Sequence, residues 1–378
     1  MRYHIVLLDT AHGSLDDRVF YHQGKSLLEN GYHVTIISTT ETVETVKNSI
    51  NICSYNFNSF SRKEKQKKIV EILAQLNPDI IICDTPIAVL SAQKYRKNNQ
   101  TKIIYDVTEW YPSTNNLKNT KGLKKWLRFI VLFFFNLYAG VLSNGFIFGE
   151  KHKATFFRFF YFWKLYIILP YFPDLKYIET KSIRNINQEI RLFYGGNIQP
   201  QRGFPQVIES VVKAAKRKPE TIFQLHILCN LSTKNDISYF ENLALNLPSN
   251  IEIHQNELLP FVDFCQYITN MDLFFDLRTI SLESNHSLPI KLFYYLACGR
   301  PIIYSKLKSI TSFLPDISFG YVVNPSDTDC IADCVENYLD NPKLYSDHCQ
   351  SAINLSKEKY NWQKIESRFM NFIRQISG

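Results

Sequence analysis

The sequence predicts an α/β protein built from two doubly wound domains. A chain of 378 residues is too long for one ordinary core, and its 45% hydrophobic and 21% charged residues are typical of a folded globular protein. Short apolar strands alternate with amphipathic helices through the first half, and the alternation starts again after Pro170. This pattern indicates parallel sheets that helices cover on both faces.

The first domain is predicted over residues 1–170. Its strands are short apolar runs, namely Tyr3–Leu8, His33–Ser38, Ser49–Ser54, Asp79–Cys83, Lys102–Asp106 and Gly145–Phe148. Amphipathic runs of helical period lie between them, namely Asp17–Asn30, Ser61–Leu76, Ile87–Asn98 and Lys121–Leu142. This order predicts one sheet with crossover helices.

The second domain is predicted over residues 175–355, after a linker at Leu169–Asp174 that contains two prolines. Its strands are expected at Glu189–Tyr194, Phe223–Cys229, Asn250–His254, Asp272–Asp276, Pro301–Ser305 and Gly320–Val323. Its helices are expected at Pro205–Arg217, Ile237–Leu245, Phe261–Thr269, Ile290–Cys298 and Asp329–Asp340, and the tail 343–376 reads as one or two helices.

The positive charge of the chain is concentrated in one segment. Residues 121–164 carry eight basic residues and one acid, Glu150, which accounts for +7 of the net charge of +8. Long apolar and aromatic runs accompany these charges, including Phe129–Phe135 and Phe156–Trp163. Basic residues beside Trp and Phe are typical of a segment in a membrane interface, where anionic headgroups attract the basic face.

Two other interpretations of this segment stay open. It could form a buried helix with a solvated basic rim, or a nucleic-acid patch, although basic and aromatic residues do not interleave here as such a patch requires. The uncharged run of about 14 residues is shorter than a spanning helix needs. Because residues 1–8 read as a strand without an apolar leader, we expect a cytoplasmic protein bound peripherally to the inner face of the membrane, with no nucleic-acid partner.

Neither the cysteines nor a short acidic motif indicates a metal site. The eight cysteines are scattered without a C-x-x-C pair, and Cys330 and Cys334 have no matching ligand pair nearby, so free thiols are favoured over zinc. Asp327-Thr-Asp329 resembles a metal-binding Asp-x-Asp, but its position before a helix favours capping.

Four motifs, in order, resemble those of the family 4 glycosyltransferases. They are Asp16-Asp-Arg-Val-Phe20 leading into Gly24–Ile37, then Ile104-Tyr-Asp-Val-Thr-Glu-Trp-Tyr-Pro112, Tyr194-Gly-Gly-Asn-Ile-Gln-Pro-Gln-Arg-Gly203, and Leu288-Pro-Ile-Lys-Leu-Phe-Tyr-Tyr-Leu-Ala-Cys-Gly-Arg-Pro-Ile302. The resemblance implies the GT-B fold, in which two Rossmann-like domains face each other across a cleft. It also implies that a C-terminal helix at about 356–378 packs back on the first domain, with Trp362 and Phe369 in that domain's core.

The resemblance also assigns candidate site residues. Arg202 and Lys291 are expected to stabilise the departing diphosphate, and Glu109 completes the catalytic set. Gly195, Gly196, Glu283, His286 and Tyr294 are expected to bind the donor, and Asp16, Asp17, Arg18 and Asp106 the acceptor. The residue types suit this chemistry, because glycine allows close approach to a phosphate and arginine is a forked, permanently charged donor.

Simpler interpretations of the same residues remain. The two glycines could form an ordinary turn, Arg202 a surface ion pair, and Lys291 a helix-face lysine. His286 could be a solvated loop residue, and Asp16 and Asp17 could cap the first helix.

Several positions depart from the family pattern. Tyr294 stands where the family has a glutamate that holds ribose hydroxyls, and His286 where it has a second acid. Thr108 replaces a histidine, and Gly196 replaces an arginine that often follows the first glycine. A tyrosine cannot accept two hydroxyl bonds as a carboxylate does. Either the branch uses other side chains, or the chain has lost turnover.

The favoured hypothesis is a retaining hexosyltransferase that moves a sugar from a nucleotide-diphosphate donor to a glycan acceptor. The basic aromatic segment predicts a lipid-linked acceptor, as in cell-surface polysaccharide biosynthesis. No cofactor and no obligatory metal are expected beyond the nucleotide-sugar substrate. The alternatives are a catalytically silent partner subunit of the same fold and, less favoured, a nucleotide-sugar epimerase.

Overall fold

The computed structural model describes residues 3–96, 100–108, 111–112, 114–117, 120–231, 233–244, 247–285, 288–315 and 318–378. The chain divides into two compact units. One comprises Met1–Tyr171 with Ile365–Gly378, and the other comprises Phe172–Lys364. The predicted linker therefore contains the boundary between the units.

The first unit contains a sheet of eight strands. These are β1 His4–Asp9, β2 His33–Ser38, β3 Val43–Lys47, β4 Ile50–Ser54, β5 Ile80–Cys83, β6 Lys102–Val107, β7 Gly145–Phe148 and β8 Leu165–Ile168. Their order is β3-β4-β2-β1-β5-β6-β7-β8, and every pairing is parallel except that of β3 with β4. The central strands are buried along their whole length, as a doubly covered sheet requires.

The helices of the first unit connect and cover these strands. A π-helical segment at Asp17–Gly24 continues into α1 Lys25–Glu29, followed by α2 Arg62–Leu76, α3 Pro86–Arg96, α4 Thr114–Leu117, α5 Gly122–Leu142 and α6 Lys151–Phe160. Local sequence fixes some of their ends. Ser61 and Glu64 form a reciprocal capping box at the start of α2, and Asn77 ends this helix in the left-handed conformation.

The second unit contains six parallel strands, β9 Glu189–Gly195, β10 Ile222–Leu228, β11 Ile251–Asn256, β12 Leu273–Asp276, β13 Ile302–Ser305 and β14 Gly320–Val323. Their order is β11-β10-β9-β12-β13-β14. Its helices are α7 Phe204–Arg217, α8 Lys234–Ala244, α9 Phe261–Ile268, α10 Leu282–Asn285, α11 Ile290–Ala297, α12 Lys308–Phe313, α13 Thr328–Asp340 and α14 Pro342–Glu358. Short 3₁₀ turns lie at Leu175–Tyr177, Pro200–Arg202 and Trp362–Lys364.

The C-terminal helix α15, Glu366–Ser377, belongs to the first unit, where it packs beside β8 and α1. Phe369 is buried there. Trp362, expected in the same core, instead lies in the second unit, where its backbone N–H donates to the Pro173 carbonyl at 2.9 Å. The chain therefore returns to the first unit only at about Ile365.

Two other local interpretations can be compared with the structure. All eight cysteines are free. Asp327 caps α13, because its Oδ1 accepts the Cys330 N–H at 3.0 Å, as the capping interpretation predicts.

Candidate functional site

The second sheet reverses its strand order between β9 and β12. From β9 the chain proceeds outward through β10 to β11, then returns to β12 on the other side of β9. The carboxyl ends of the two strands at such a switch point open into a crevice, where ligands of doubly wound sheets bind. Gly195 ends β9 and Asp276 ends β12, on neighbouring strands.

The loop after β9 is held against the end of β12 by glycine. Gly196 has φ of +144°, and a Cβ at this position would lie 3.3 Å from the Lys291 Nζ. Gly203 has φ of +78°, and a Cβ there would lie 1.4 Å from the Leu277 carbonyl oxygen. Only glycine allows this approach, so the glycine-rich motif positions the loop beside the crevice.

Lys291 lies in the first turn of α11 and is directed at this loop. Its Nζ donates to the Gly195 carbonyl at 2.5 Å. Burial lowers the pKa of Lys291 to about 8, an effect that Asp276 opposes and that Arg278 and Arg202 reinforce. The predicted neighbours Gly195, Gly196 and Lys291 are therefore in direct contact.

Arg202 ends the 3₁₀ turn of the same loop and is exposed. Its guanidinium has no hydrogen bond or ion pair with any residue in the described part of the chain, and the surface ion pair stays an alternative. Its positive charge nevertheless acts to lower the pKa of Lys291 and that of Tyr194. The donors of Arg202, which are unpaired among the described residues, can therefore face an anion beside Lys291.

Asp276 and Arg278 were not predicted and complete the charged set. Arg278 Nε donates to Asp276 Oδ1 at 2.9 Å, and the other carboxylate oxygen, Oδ2, is buried without a hydrogen bond among the described residues. Lys291 therefore lies within the electrostatic influence of one carboxylate, Asp276, and of two arginines, Arg278 and Arg202. The available signal was two charged residues at the end of an apolar strand.

The other predicted donor residues are placed differently. Tyr294 is buried in the second unit. The centre of its ring lies 6.1 Å from that of Phe261 and 5.9 Å from that of Phe264, both in α9. His286 lies outside the described residues, and so does the side chain of Glu283. Their donor-binding roles stay predictions.

In the first unit, predicted acceptor residues form a buried ion pair. Arg18 donates from Nε to Asp106 Oδ2 at 2.9 Å and from Nη2 to Asp106 Oδ1 at 3.0 Å. Gln23 Nε2 adds a bond to Asp106 at 2.8 Å, and the Tyr171 ring lies 4.1 Å from the Arg18 guanidinium. Both charges are more than nine-tenths buried. This pair links the π-helical segment to β6. The predicted contact of these residues with an acceptor stays a prediction.

Asp16 and Asp17 begin the π-helical segment. Asp16 Oδ1 accepts from the Arg18 and Val19 N–H groups at 3.0 and 3.2 Å, which confirms the capping interpretation for Asp16. Burial, then the neighbouring Asp17 charge, raises the pKa of Asp16 to about 7. Its direct role in acceptor binding is a prediction still.

A cluster that sequence reasoning missed lies at the switch point of the first sheet. Asp9 ends β1, and Asp84 follows β5, which is the neighbour of β1 on the side opposite β2. Asp9 accepts from the His12 N–H at 2.7 Å and faces His12 Nδ1 at 3.3 Å, and Asp84 accepts from Thr10 N at 2.8 Å. One potential ligand atom from each of Asp9, His12 and Asp84 lies within 4.8 Å of the others, close enough to hold a metal ion.

The charges in this cluster are strongly coupled. The bond with Asp9 raises the pKa of His12 to about 10, while burial and the Asp9 charge raise the pKa of Asp84 well above its usual range. The cluster can therefore hold a proton on Asp84 beside an ionised Asp9–His12 pair. Such groups can donate to and accept from sugar hydroxyls.

Glu109, the predicted third catalytic residue, lies outside the described residues. Its neighbour Thr108 is described, and the Thr108 carbonyl accepts a hydrogen bond from Lys153 Nζ at 2.5 Å. Lys153 also lies 3.5 Å from Glu150. The backbone leading to Glu109 is therefore fixed by a buried lysine.

Comparison with known proteins identifies the fold. No protein-family model and no curated protein matches the chain. Similar solved structures include sucrose-phosphate synthase from Thermosynechococcus elongatus, at 15% identity with a TM-score of 0.68, covering 99% of both chains. A glycosyltransferase from Rickettsia africae is 12% identical over 99% of this chain and 98% of that one, with a TM-score of 0.66. HepE from Anabaena, in complex with UDP-glucose, is 11% identical over 99% of this chain and all of its own, with a TM-score of 0.68.

These neighbours have the GT-B fold of glycosyltransferases, and the two Rossmann-like units of this chain match it along its whole length. The predicted fold class is therefore confirmed.

Proposed function

We propose that this chain is a glycosyltransferase that moves a sugar from a nucleoside-diphosphate donor to a glycan acceptor. The observation that carries the proposal is the cationic set at the switch point of the second sheet. Arg202 has no hydrogen-bond partner for its guanidinium among the described residues, Lys291 touches the glycine loop, and Arg278 lies beside them. A diphosphate is the ligand that a glycine loop and these cations match in charge and geometry.

The same set supports a chemical role. Breaking the bond between sugar and diphosphate develops negative charge on the leaving group, and fixed cations lower the barrier by stabilising that charge. Arg202 would provide a two-point contact and Lys291 a point charge. Because these side chains already supply positive charge, the proposal needs no obligatory metal. Retention at the anomeric carbon follows from the family 4 resemblance alone.

The base of the donor is proposed to be uracil. HepE from Anabaena binds UDP-glucose, and its fold matches this chain over nearly its entire length. We therefore place UDP-glucose first among the donors to test.

The acceptor is proposed to be a lipid-linked glycan of a cell-surface polysaccharide, met at the cytoplasmic face of the membrane. The exposed apolar surface described below supports this proposal. In the first unit, Asp16, Asp17 and the Asp9–His12–Asp84 cluster lie on the carboxyl side of the sheet and suit hydroxyl groups.

Thermal unfolding of the purified chain in a panel of nucleotides tests the donor class. The panel contains UDP, GDP, ADP and dTDP with their glucose conjugates, and AMP as a control that lacks a diphosphate. A specific ligand binds the native state and raises the melting temperature, by an increment that grows with concentration. We expect a rise with UDP and UDP-glucose only. A folded protein that responds to none of the diphosphates would overturn the donor proposal and support the silent-partner alternative.

A further inference from the structure

Helix α5 carries an unusually exposed apolar stripe. Six large apolar side chains recur at intervals of three or four residues and lie on one face of the helix. Each is between 52% and 74% exposed, namely Leu123, Leu127, Val131, Phe134, Tyr138 and Val141. At 1.5 Å per residue this stripe extends about 27 Å. Continuous apolar surface of this length on a folded domain marks an interaction site.

The opposite face of α5 fixes the helix to the first unit. Leu132, Asn136, Ala139 and Gly140 are buried. Asn136 Oδ1 accepts from the Tyr105 hydroxyl at 2.9 Å, and Asn136 Nδ2 donates to the Tyr111 carbonyl at 3.2 Å. Because these bonds hold the opposite face of α5 on the domain, the stripe is left exposed on the surface of the first unit.

A second apolar cluster continues the stripe at its C-terminal end. Phe159 in α6, Phe162 and Trp163 in the turn after it, and Leu165 at the start of β8 are exposed. Trp163 and Leu165 line the same shallow depression as Val141. Lys164 joins the two parts, because its Nζ donates to the Gly140, Val141 and Ser143 carbonyls at 2.6–2.7 Å. We call the six stripe residues and these four residues the apolar belt.

The charges beside the belt select its partner. Lys121, Lys124, Lys125 and Arg128 are exposed on one flank of the first turns of α5. The one acid in residues 121–164, Glu150, lies 3.4–3.5 Å from His152 and Lys153. None of these four cations forms an ion pair with a described residue, and an apolar face with Trp and Phe that is flanked by such cations is complementary to an anionic lipid surface.

We propose that the apolar belt docks the first unit on an anionic bilayer, with α5 lying in the plane of the interface. The helix of 21 residues is long and apolar enough to cross a membrane by length and composition, although the uncharged run alone suggested otherwise. Crossing would remove Asn136 from its bonds with Tyr105 and Tyr111, and would carry the buried face of α5 into lipid. Docking in the plane keeps those contacts and buries only the exposed face.

Docking on a bilayer builds on the proposal that the acceptor is lipid-linked. Its test, however, requires no transfer reaction. The test is flotation of the full-length protein with phosphatidylcholine vesicles that contain or lack phosphatidylglycerol. Two variants form a matched pair, because Val131 in the belt and Val46 on the edge strand β3 are both 65% exposed valines of the first unit. A third variant replaces Lys124, Lys125 and Arg128 with serine.

We expect the native protein to float with phosphatidylglycerol vesicles. Val131→Glu should lower the bound fraction about tenfold, because it places a charge in the inserted face, whereas Val46→Glu should bind as the native protein does. The triple serine variant should lose the preference for anionic vesicles. Equal binding by both glutamate variants, or no binding by the native protein, would overturn the proposal.

Two further outcomes would also overturn it. A dimer of the native protein that Val131→Glu dissociates, without vesicle binding, would make the belt a protein interface. Resistance of cell-expressed protein to extraction by alkaline carbonate would show that α5 spans the membrane. Failure of UDP to bind leaves the vesicle result unchanged, so the two proposals fail independently.

Discussion

Arg18 donates two hydrogen bonds to Asp106, 88 residues further along the chain, at 2.9 and 3.0 Å. The pair joins the π-helical segment after β1 to the end of β6. Although burial alone lowers the pKa of Arg18, the Asp106 charge raises it above its ordinary value. The two charges therefore compensate each other in a buried site.

Removing one member of this pair should destabilise the first unit. Arg18→Met leaves a buried carboxylate without its main partner, and we expect a loss of about 3–5 kcal/mol in the free energy of unfolding. The double variant Arg18→Met with Asp106→Leu removes both charges and should lose less than Arg18→Met alone. Urea unfolding followed by circular dichroism measures all three proteins. A double variant less stable than the single would contradict this account of the pair.

Gly203 should tolerate no side chain. Gly203→Ala places a methyl group 1.4 Å from the Leu277 carbonyl oxygen, so the loop or the end of β12 must move. We expect a loss of about 3 kcal/mol or more, against about 1 kcal/mol for Gly31→Ala. Gly31 is the matched control, since its φ of +85° is similar but nothing lies within 4 Å of the added atom. Equal losses in the two variants would show that strain in φ alone, and not the close approach, makes glycine necessary.

Donor affinity should depend on pH through Lys291. With a pKa of about 8 in the free protein, Lys291 is charged below that pH and neutral above it. An anion prefers the charged form, so the UDP dissociation constant should rise as pH increases from about 7 to 9.5, by roughly tenfold in total. Calorimetric titration at several pH values measures this.

Substitutions distinguish Lys291 from other titrating groups. Lys291→Arg keeps its charge across the range and should flatten the pH dependence. Lys291→Met should bind UDP weakly at every pH. A pH dependence that persists unchanged in both variants would contradict the assignment.

The sequence predicts the architecture well where strands are continuous apolar runs. The buried strands β5, β7 and β13 read directly from Ile-Ile-Ile, Phe-Ile-Phe and Ile-Ile-Tyr. The edge strand β3 was missed, because Val-Glu-Thr-Val-Lys is mostly exposed and its pairing with β4 decides its structure. Strand β8 was missed because it follows an aromatic run that composition assigns to an interface.

The candidate site was predictable only where its residues stand in sequence motifs that resemble those of a known family. The glycine loop, Arg202 and Lys291 stand in recognisable motifs, and the structure brings Gly195, Gly196 and Lys291 together. The Asp9–His12–Asp84 cluster was missed because β1 and β5 become neighbours only in the folded sheet. The pairing of Arg18 with Asp106 was missed for the same reason.

The central claim is that the set around Arg202 and Lys291 binds the diphosphate of the donor. Titration calorimetry of UDP into the native protein, Arg202→Ala and Arg217→Ala tests it most directly. Arg217 is the matched control, because it is an exposed arginine of the same unit that pairs with Asp329, Asp333 and Glu336 on α13. We predict that Arg202→Ala raises the dissociation constant at least about tenfold, as loss of a charge-assisted bond implies, while Arg217→Ala leaves it unchanged. Native UDP affinity in Arg202→Ala would contradict the claim.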